Sequence, residues 1–504
     1  LPQQKTLLNA VKWSYLGNWS DRGVSAIFTV ILASVLGPKD FGTVSVALIY
    51  IGFLQLFLHQ GFITALVQRK ELAPEHWDSV FWMDQALSVF LVGVSFLLSG
   101  WWAAKNHAPH VTALIAVLSL SIPIEASAGI QGAMLSRAMD FKSLSIRGTT
   151  AALLGGLVGI EMAFSGFGVW ALVGQQLVRD STSLVLLWTL SAWRPRLGFS
   201  WKHLKELAGF SSSTFAAQLA LYADAQASSI LLGLFVGPVA VGLYRLADRV
   251  TNSVQVMATS SIQAVSLPEF SRNQDNPQEL RRSAITCLRL SSALSFPALA
   301  GLAAVSGPLT AVIGPEWAPA AGVIRILSIL GIFAVVCYFT GPSLQALSRP
   351  GQVAVLEWAR AVVGTGLLVT ASVLVRNRSV SFQVTGIAAA RFVLGAFLVT
   401  PVYVSVFMRA CKLSWRDLAA SVGPGVVASA SVVGSVTLFH ASGALVGNKP
   451  VILLIAEAAV GGAIGLAVLL TLQTELRNAL ARMLPTSVSR LLGFSPETSA
   501  GPRR

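Results

Sequence analysis

Apolar runs long enough to cross a lipid bilayer recur along nearly the whole chain, and nothing else in the sequence narrows its fold as much. The hydrocarbon core is about 30 Å thick, so a helix needs about 20 mostly apolar residues to cross it. Segments 11–36, 41–66, 78–103, 111–134, 144–165, 168–191, 208–236, 240–266, 286–313, 318–346, 351–375, 382–407, 417–440 and 450–472 meet that requirement, about fourteen in all. Only helices and closed barrels satisfy every backbone group in lipid. These runs are too long and too evenly apolar for barrel strands, so the expected fold class is an all-α integral membrane protein. The charged fraction, 12%, is too small to coat a soluble surface of this size. The first run lacks a small-residue cleavage site, so no cleaved signal peptide is expected.

The net charge of +14 would raise nucleic acid as a partner in a soluble protein. Here the positions of the charges supply another reason. Alternate connections carry Arg69 and Lys70; Arg137, Lys142 and Arg147; Arg194, Arg196, Lys202 and Lys205; Arg272, Arg281 and Arg282; Arg349; and Arg409, Lys412 and Arg416. The opposite connections hold only Lys39, Lys105, Arg376, Arg378 and Lys449. The positive-inside rule puts the first set, and both termini, in the cytoplasm, with an even number of spans between them. The charge is thus expected to reflect orientation in a membrane that borders the cytoplasm, with no nucleic-acid partner. Trp77, Trp101, Trp102, Trp170, Trp193, Trp201, Trp317 and Trp415 fall near span ends, where amphipathic rings favour the headgroup level.

A repeat is visible. LGPKDFG, with Gly37-Pro38 and Gly42, follows the first span; VGPVAVG, with Gly237-Pro238 and Gly242, follows the seventh. Gly-Pro marks turns generally, but these copies sit at equivalent places. They imply halves of parallel orientation, a design found in transporters. The expected organisation is an N-lobe at 1–207, a C-lobe at 208–416, two further spans at 417–472 and a basic tail at 473–504 that lies on the inner leaflet or in solvent.

Chemistry within the spans rests on charge. Asp21, Arg22, Glu125, Arg179, Asp180, Asp224, Arg245, Asp248, Arg249, Arg325, Glu357, Arg360, Arg391 and Glu457 all fall inside expected spans. A charge at the bilayer centre costs about 2.5–3.5 kcal/mol on insertion scales, so such residues face a bundle interior or a watery cavity. Arginine matches phosphate through its planar fork of donors. Arg22, Arg179, Arg249, Arg325 and Arg360 are thus candidates for a cavity that attracts an anion such as pyrophosphate. Local pairing competes: Glu357 and Arg360, and Arg245 and Asp248, stand three apart on one helical face. Asp224 and Asp248 are candidate ion-coupling carboxylates, with salt bridges to neighbouring helices as the alternative. Trp19, three residues before Arg22, offers a ring for sugar stacking, with packing between helices as the alternative.

No HExxH, paired CxxC, GxSxG, Walker or GxGxxG motif is present, and the three cysteines are scattered, so neither an enzyme nor a metal or cofactor site is expected. His107 and His110 alone make a poor metal site.

The segment LGPKDFGTVSVALIYIGFLQLFLHQGFITALVQRKEL, from Leu36 to Leu72, resembles the opening of bacterial polysaccharide flippases, the Wzx-like exporters of the multidrug/oligosaccharidyl-lipid/polysaccharide (MOP) superfamily. GFGVWALVGQQLV, WRPRLGFS, LYRLADRV, LPEFSRNQDNPQELRR, FPALAGLAA, EWAPAAGVIRIL and ALSRPG follow in the same order, so the resemblance runs from about residue 8 to 470. It implies two pseudo-symmetric lobes and two added helices. It also implies alternating access that carries an undecaprenyl-pyrophosphate-linked oligosaccharide outward for exopolysaccharide or O-antigen synthesis. A proton or sodium gradient would drive it, beside membrane lipids and polysaccharide polymerase and export partners. Arg22, Arg249, Arg325 and Arg360 sit where such relatives often carry basic residues. Where many relatives have an aspartate before the span-7 turn, this chain has Ser228 and Ser229, with Asp224 one turn earlier. A multidrug or small-molecule antiporter of the same superfamily, and a membrane glycan polymerase or ligase, are the competing functions.

Overall fold

A computed structural model describes residues 2–59, 62–69, 72–443 and 450–473. Most of the basic tail, together with Lys70 and Lys449, lies outside the described residues. The helices are α1 (Pro2–Val35), α2 (Pro38–His59), α3 (Phe62–Gln68), α4 (Pro74–Lys105), α5 (Val111–Leu118), α6 (Ser121–Arg137), α7 (Phe141–Phe164), α8 (Val169–Leu190), α9 (Trp201–Phe235) and α10 (Pro238–Arg272). They continue as α11 (Pro277–Ala304), α12 (Ser306–Ile313), α13 (Ala320–Cys337), α14 (Thr340–Ala346), α15 (Pro350–Val375), α16 (Val380–Val393), α17 (Thr400–Ala410), α18 (Trp415–Ala441) and α19 (Pro450–Leu472). The protein is an all-helical, multi-pass membrane protein.

The starts of these helices follow from local chemistry. Proline opens α2, α4, α10, α11, α15 and α19, where its fixed φ suits the first turn and its missing N–H is not needed. Asp140 caps α7 by accepting from Ser143 N at 3.1 Å, and Asn276 caps α11 by accepting from Gln278 N at 3.1 Å. At α18, Ser414 and Asp417 form a reciprocal capping box. Gly237 ends α9 with φ at +109°, a conformation that side chains rarely adopt.

Among the described residues, ten helical stretches are long and apolar enough to cross a membrane. Among the described residues each expected segment lies mostly in helix, but 11–36, 168–191, 208–236 and 240–266 fall short of that apolar standard. These four carry Asp21 and Arg22, Arg179 and Asp180, Asp224, and Arg245, Asp248 and Arg249. Some expected spans are also broken: 111–134 is α5 and α6, and 382–407 is α16 and α17 joined by a π-helical turn at Leu394–Val399. Such turns mark local insertions and are frequent at functional sites.

The chain forms two compact units. Unit 1 comprises residues 1–257, 310–327 and 349–401; unit 2 comprises 258–309, 328–348 and 402–504. In unit 1, α1 packs on α7, α7 on α8, α8 on α6, and α9 on α15. Close approach depends on small residues: a Cβ on Gly155 of α7 would lie 2.7 Å from the Gln175 carbonyl oxygen of α8, and one on Gly156 would collide with Phe28 of α1. The two copies of the Gly-Pro repeat meet here. A Cβ on Gly42 would collide with the Pro238 carbonyl, and one on Gly242 with the Pro38 carbonyl. In unit 2, α11 packs on α18 and α18 on α19.

The span-end tryptophans do not share one environment, and Trp102 and Trp193 are half-buried. Trp101, Trp201 and Trp415 are exposed, as a headgroup position requires, but Trp77 and Trp317 are buried. Trp317 donates to the Ala33 carbonyl at 2.8 Å and meets the Phe41 ring edge-on at 5.7 Å, so helix packing and not the interface holds it.

At the start of α9, Glu206 accepts from Arg69 at 2.9 Å and lies 3.4 Å from His76 Nε2. The Arg69 hydrogen bond, reinforced by His76, holds the Glu206 carboxyl below the ordinary range.

Candidate functional site

The polar residues of the four weakly apolar helices converge within unit 1. Along α10, Arg245, Asp248, Arg249, Asn252 and Ser253 recur at three- and four-residue steps and so share one face. That face borders a cavity of 760 Å³. Asp21, Arg22 and Ser25 of α1, Arg179 of α8 and Asp224 and Gln226 of α9 complete its wall with Arg360 of α15 and Arg391 of α16. Among the described residues the wall holds six arginines and three aspartates. The sign of the site is therefore positive.

The carboxylates are engaged from across the fold. Arg179 donates to both Asp21 oxygens, at 3.1 and 3.2 Å. Asp224 lies 3.0 Å from Arg391 and 3.3 Å from Arg360, and Arg391 also donates to the Asp224 carbonyl at 2.9 Å. Arg360 makes a further pair with Glu357 at 2.8 Å. Arg245 donates to Gln226 at 3.0 Å and reaches Asp248 only loosely, at 3.9 Å. Among the described residues, neither Arg22 nor Arg249 has an ion-pair partner within 4 Å. Two guanidinium forks thus face the cavity with their donors open. The arrangement is suited to hold an anion with several oxygens, since arginine binds such groups bidentately. Neighbouring pairs fix the other guanidiniums in place, so the wall is formed before an anion arrives.

The structure gathers most of the residues singled out by charge. Arg22, Arg179, Arg249 and Arg360 share the wall with Asp224 and Asp248. Arg325 is exposed on α13 and is not part of it, and Trp19 is 48% exposed and also outside the lining. Asp21, Arg245 and Arg391 were visible only as charges within spans, yet all three belong to the wall. The alternation of Arg245, Asp248, Arg249 and Asn252 is the signal that could have ranked Arg245 higher. Nothing local distinguishes Arg391, whose partner Asp224 is 167 residues away. The Glu357–Arg360 pair expected from spacing forms, and Arg360 reaches Asp224 as well.

Residues 31–322 match the model of a family described as polysaccharide biosynthesis protein. The chain is 28% identical over 366 residues to the succinoglycan biosynthesis transport protein ExoT of Rhizobium meliloti, covering 72% of this chain and 74% of that one. It is 25% identical over 351 residues to the lipopolysaccharide biosynthesis protein WzxC of Escherichia coli, covering 69% and 71%. Its backbone resembles the lipid II flippase MurJ in an inward closed conformation, with a TM-score of 0.74 at 12% identity over 92% of this chain and 99% of that chain. It also resembles the inward-facing conformation of a multidrug resistance MATE transporter of the MOP superfamily, with a TM-score of 0.60 at 17% identity over 79% and 95%.

Proposed function

Because the chain belongs to the polysaccharide biosynthesis protein family of flippases and exporters, we propose that it carries undecaprenyl-pyrophosphate-linked oligosaccharide repeat units across the bacterial inner membrane. The fold is that of MOP-superfamily transporters, and the relatives are named as transport or biosynthesis proteins. In this reading the cationic cavity receives the pyrophosphate at the cytoplasmic side and alternating access releases it outward. The two lobes, 1–207 and 208–416, move relative to each other, and their Gly-Pro repeats meet at Gly42 and Gly242. In this reading both termini lie in the cytoplasm, which the excess of basic residues on one set of connections supports. A proton or sodium gradient acting through Asp224 and Asp248 supplies the driving force, and a polymerase and an export system take up the product.

One observation carries the proposal: six arginines against three aspartates around one intramembrane cavity, with Arg22 and Arg249 unpaired among the described residues. Charges inside a membrane protein are retained where they serve a substrate or ion path. An antiporter for cationic drugs would need the opposite sign. A polymerase or ligase would need an acid, base and nucleophile on an outward connection, and those connections are short in this sequence.

The test is the lipid-linked glycan pool of a strain lacking the protein, read by mass spectrometry with a sidedness assay. Complete repeat units retained on the cytoplasmic face are expected, and their mass identifies the glycan. Single repeat units accumulating on the outer face would overturn the proposal and favour a polymerase.

A further inference from the structure

A second cavity lies in unit 1, with a volume of 880 Å³ and a different chemistry. Its polar lining includes Gln55, Glu125, Gln176, Asp180, Gln218 and Tyr222, with Arg147 as the one cation among the described lining residues. Two carboxylates against one guanidinium reverse the sign found in the arginine-rich cavity. Both volumes fall within the range of roughly 300–1,000 Å³ typical of small-molecule sites.

The two cavities are joined by residues they share with a third, small pocket of 50 Å³. Gln176 borders the small pocket and the amide-lined cavity. Arg179, Arg245 and Arg249 border the small pocket and the cationic cavity. Gln176 and Arg179 stand three apart on α8, so one helix face passes from amide to guanidinium. A ligand with an anionic end and a hydroxyl-rich end would meet the two kinds of wall in that order.

The groups of the second cavity suit hydroxyls. Each amide offers both a donor and an acceptor, as a sugar hydroxyl does. Asp180 accepts from Gln176 at 3.0 and 3.1 Å, which holds the Gln176 amide in place. Tyr222 donates to the Ile49 carbonyl at 2.6 Å, which fixes its ring at the cavity wall. Gln218 is exposed to the cavity side of α9, and Arg147 Nε is buried with no hydrogen-bond partner among the described residues. An unpaired buried donor calls for an acceptor.

We infer that the 880 Å³ cavity binds the sugars adjoining the pyrophosphate and selects uncharged sugars over uronic acids there. This rests on the proposed translocation of a pyrophosphate-linked glycan and adds a glycan subsite to it, with the class of sugar it takes. The carboxylates Glu125 and Asp180 accept from neutral hydroxyls but repel a uronate carboxylate placed in the same space.

The experiment uses the purified full chain in lipid nanodiscs and three probes. They are farnesyl pyrophosphate, the same lipid carrying a neutral hexose disaccharide, and the same disaccharide with its first sugar replaced by a hexuronate. The neutral glycan should tighten binding over the bare lipid by about 10-fold, the effect of a few net hydrogen bonds. The hexuronate should forfeit that gain. Gln218→Ala and Asp180→Asn should each remove about 3-fold or more of the gain while leaving the bare lipid unchanged. Asp180→Asn should also narrow the gap between neutral and uronate probes. Equal binding of the bare and neutral-glycan lipids by the wild type, or binding of the hexuronate as tight as the neutral glycan, overturns the inference and leaves the translocation reading intact. Failure of farnesyl pyrophosphate to bind at all overturns that reading and the glycan chamber with it. The first two comparisons need no variant, so a misfolded mutant cannot obscure them.

Discussion

The face of α10 that carries Arg245, Asp248 and Arg249 and the seam of α18 and α19 that carries Gly461 and Gly465 are both helix surfaces packed among helices, and they are built on opposite terms. The first is polar: its own Arg245–Asp248 pair is local and loose at 3.9 Å, and it faces a wall whose carboxylates Asp224 and Asp21 are held by arginines distant in sequence. The second borders a groove of 360 Å³ lined by alanine, glycine, proline, valine and leucine. Its buried carboxylate, Glu457, is 2.8 Å from His440. Within lipid, apolar contact alone does not drive helices together, so the seam depends on small residues and close backbone approach. The charged face depends on complementary partners, and a missing partner leaves a charge where water is scarce. The difference shows where this chain keeps a fixed scaffold and where it keeps a site.

The largest expected effect tests the ion pairs. Arg391→Leu leaves the buried Asp224 with Arg360 alone and should lower stability by about 3–5 kcal/mol, read as a fall in Tm in detergent. Adding Asp224→Asn should recover much of that loss. If the double variant melts no higher than the single one, the pair does not act as a unit. On the apolar side, Gly465→Leu places a branched chain where even a Cβ would lie 2.6 Å from Val432 Cγ2. It should lower stability by about 1–3 kcal/mol, the usual range for overpacking, while farnesyl pyrophosphate binding stays the same. Arg22→Leu should do the reverse: stability within about 0.5 kcal/mol, as for a surface substitution without partners, but weaker pyrophosphate binding. A Tm loss in Arg22→Leu equal to that of Gly465→Leu would erase the distinction between scaffold and site.

The smallest effect concerns an exposed pair outside both regions. Hydrogen bonding to Arg69, and to His76, lowers the Glu206 pKa in the folded state. Its contribution is therefore present above the unfolded value of about 4.3 and is lost as pH falls through the depressed folded value. Glu206→Gln should melt slightly below the wild type at neutral pH, and the gap should close in acid. A gap that persists unchanged at low pH would assign the effect to packing.

Much of the fold can be read from the sequence because lipid imposes a simple rule. Long apolar runs mark the helices, and proline, Asp140, Asn276 and Ser414 mark their starts. The Gly-Pro repeat, displaced by two hundred residues or so, gains its physical sense only in three dimensions, where Gly42 and Gly242 each make room for the other's proline carbonyl. The site is less legible. Residue type singles out the arginines, but their partners depend on helix packing: Asp21 meets Arg179 across 158 positions, not its sequence neighbour Arg22. The same charge logic that places Arg249 in the cavity also selects Arg325, which is exposed on α13. Trp317 shows the parallel limit for aromatics, since a span-end position fits both a headgroup ring and a buried one.

The most direct test of the central claim is the sidedness of lipid-linked repeat units in cells that carry Arg22→Ala with Arg249→Ala as their sole copy, at protein levels matched to the wild type. Losing two open guanidinium forks should raise the cytoplasmic-face pool about 10-fold or more, the scale of lost charge-assisted hydrogen bonds. A pool no larger than in wild-type cells, with normal polymer export, would contradict the cationic cavity as the pyrophosphate site.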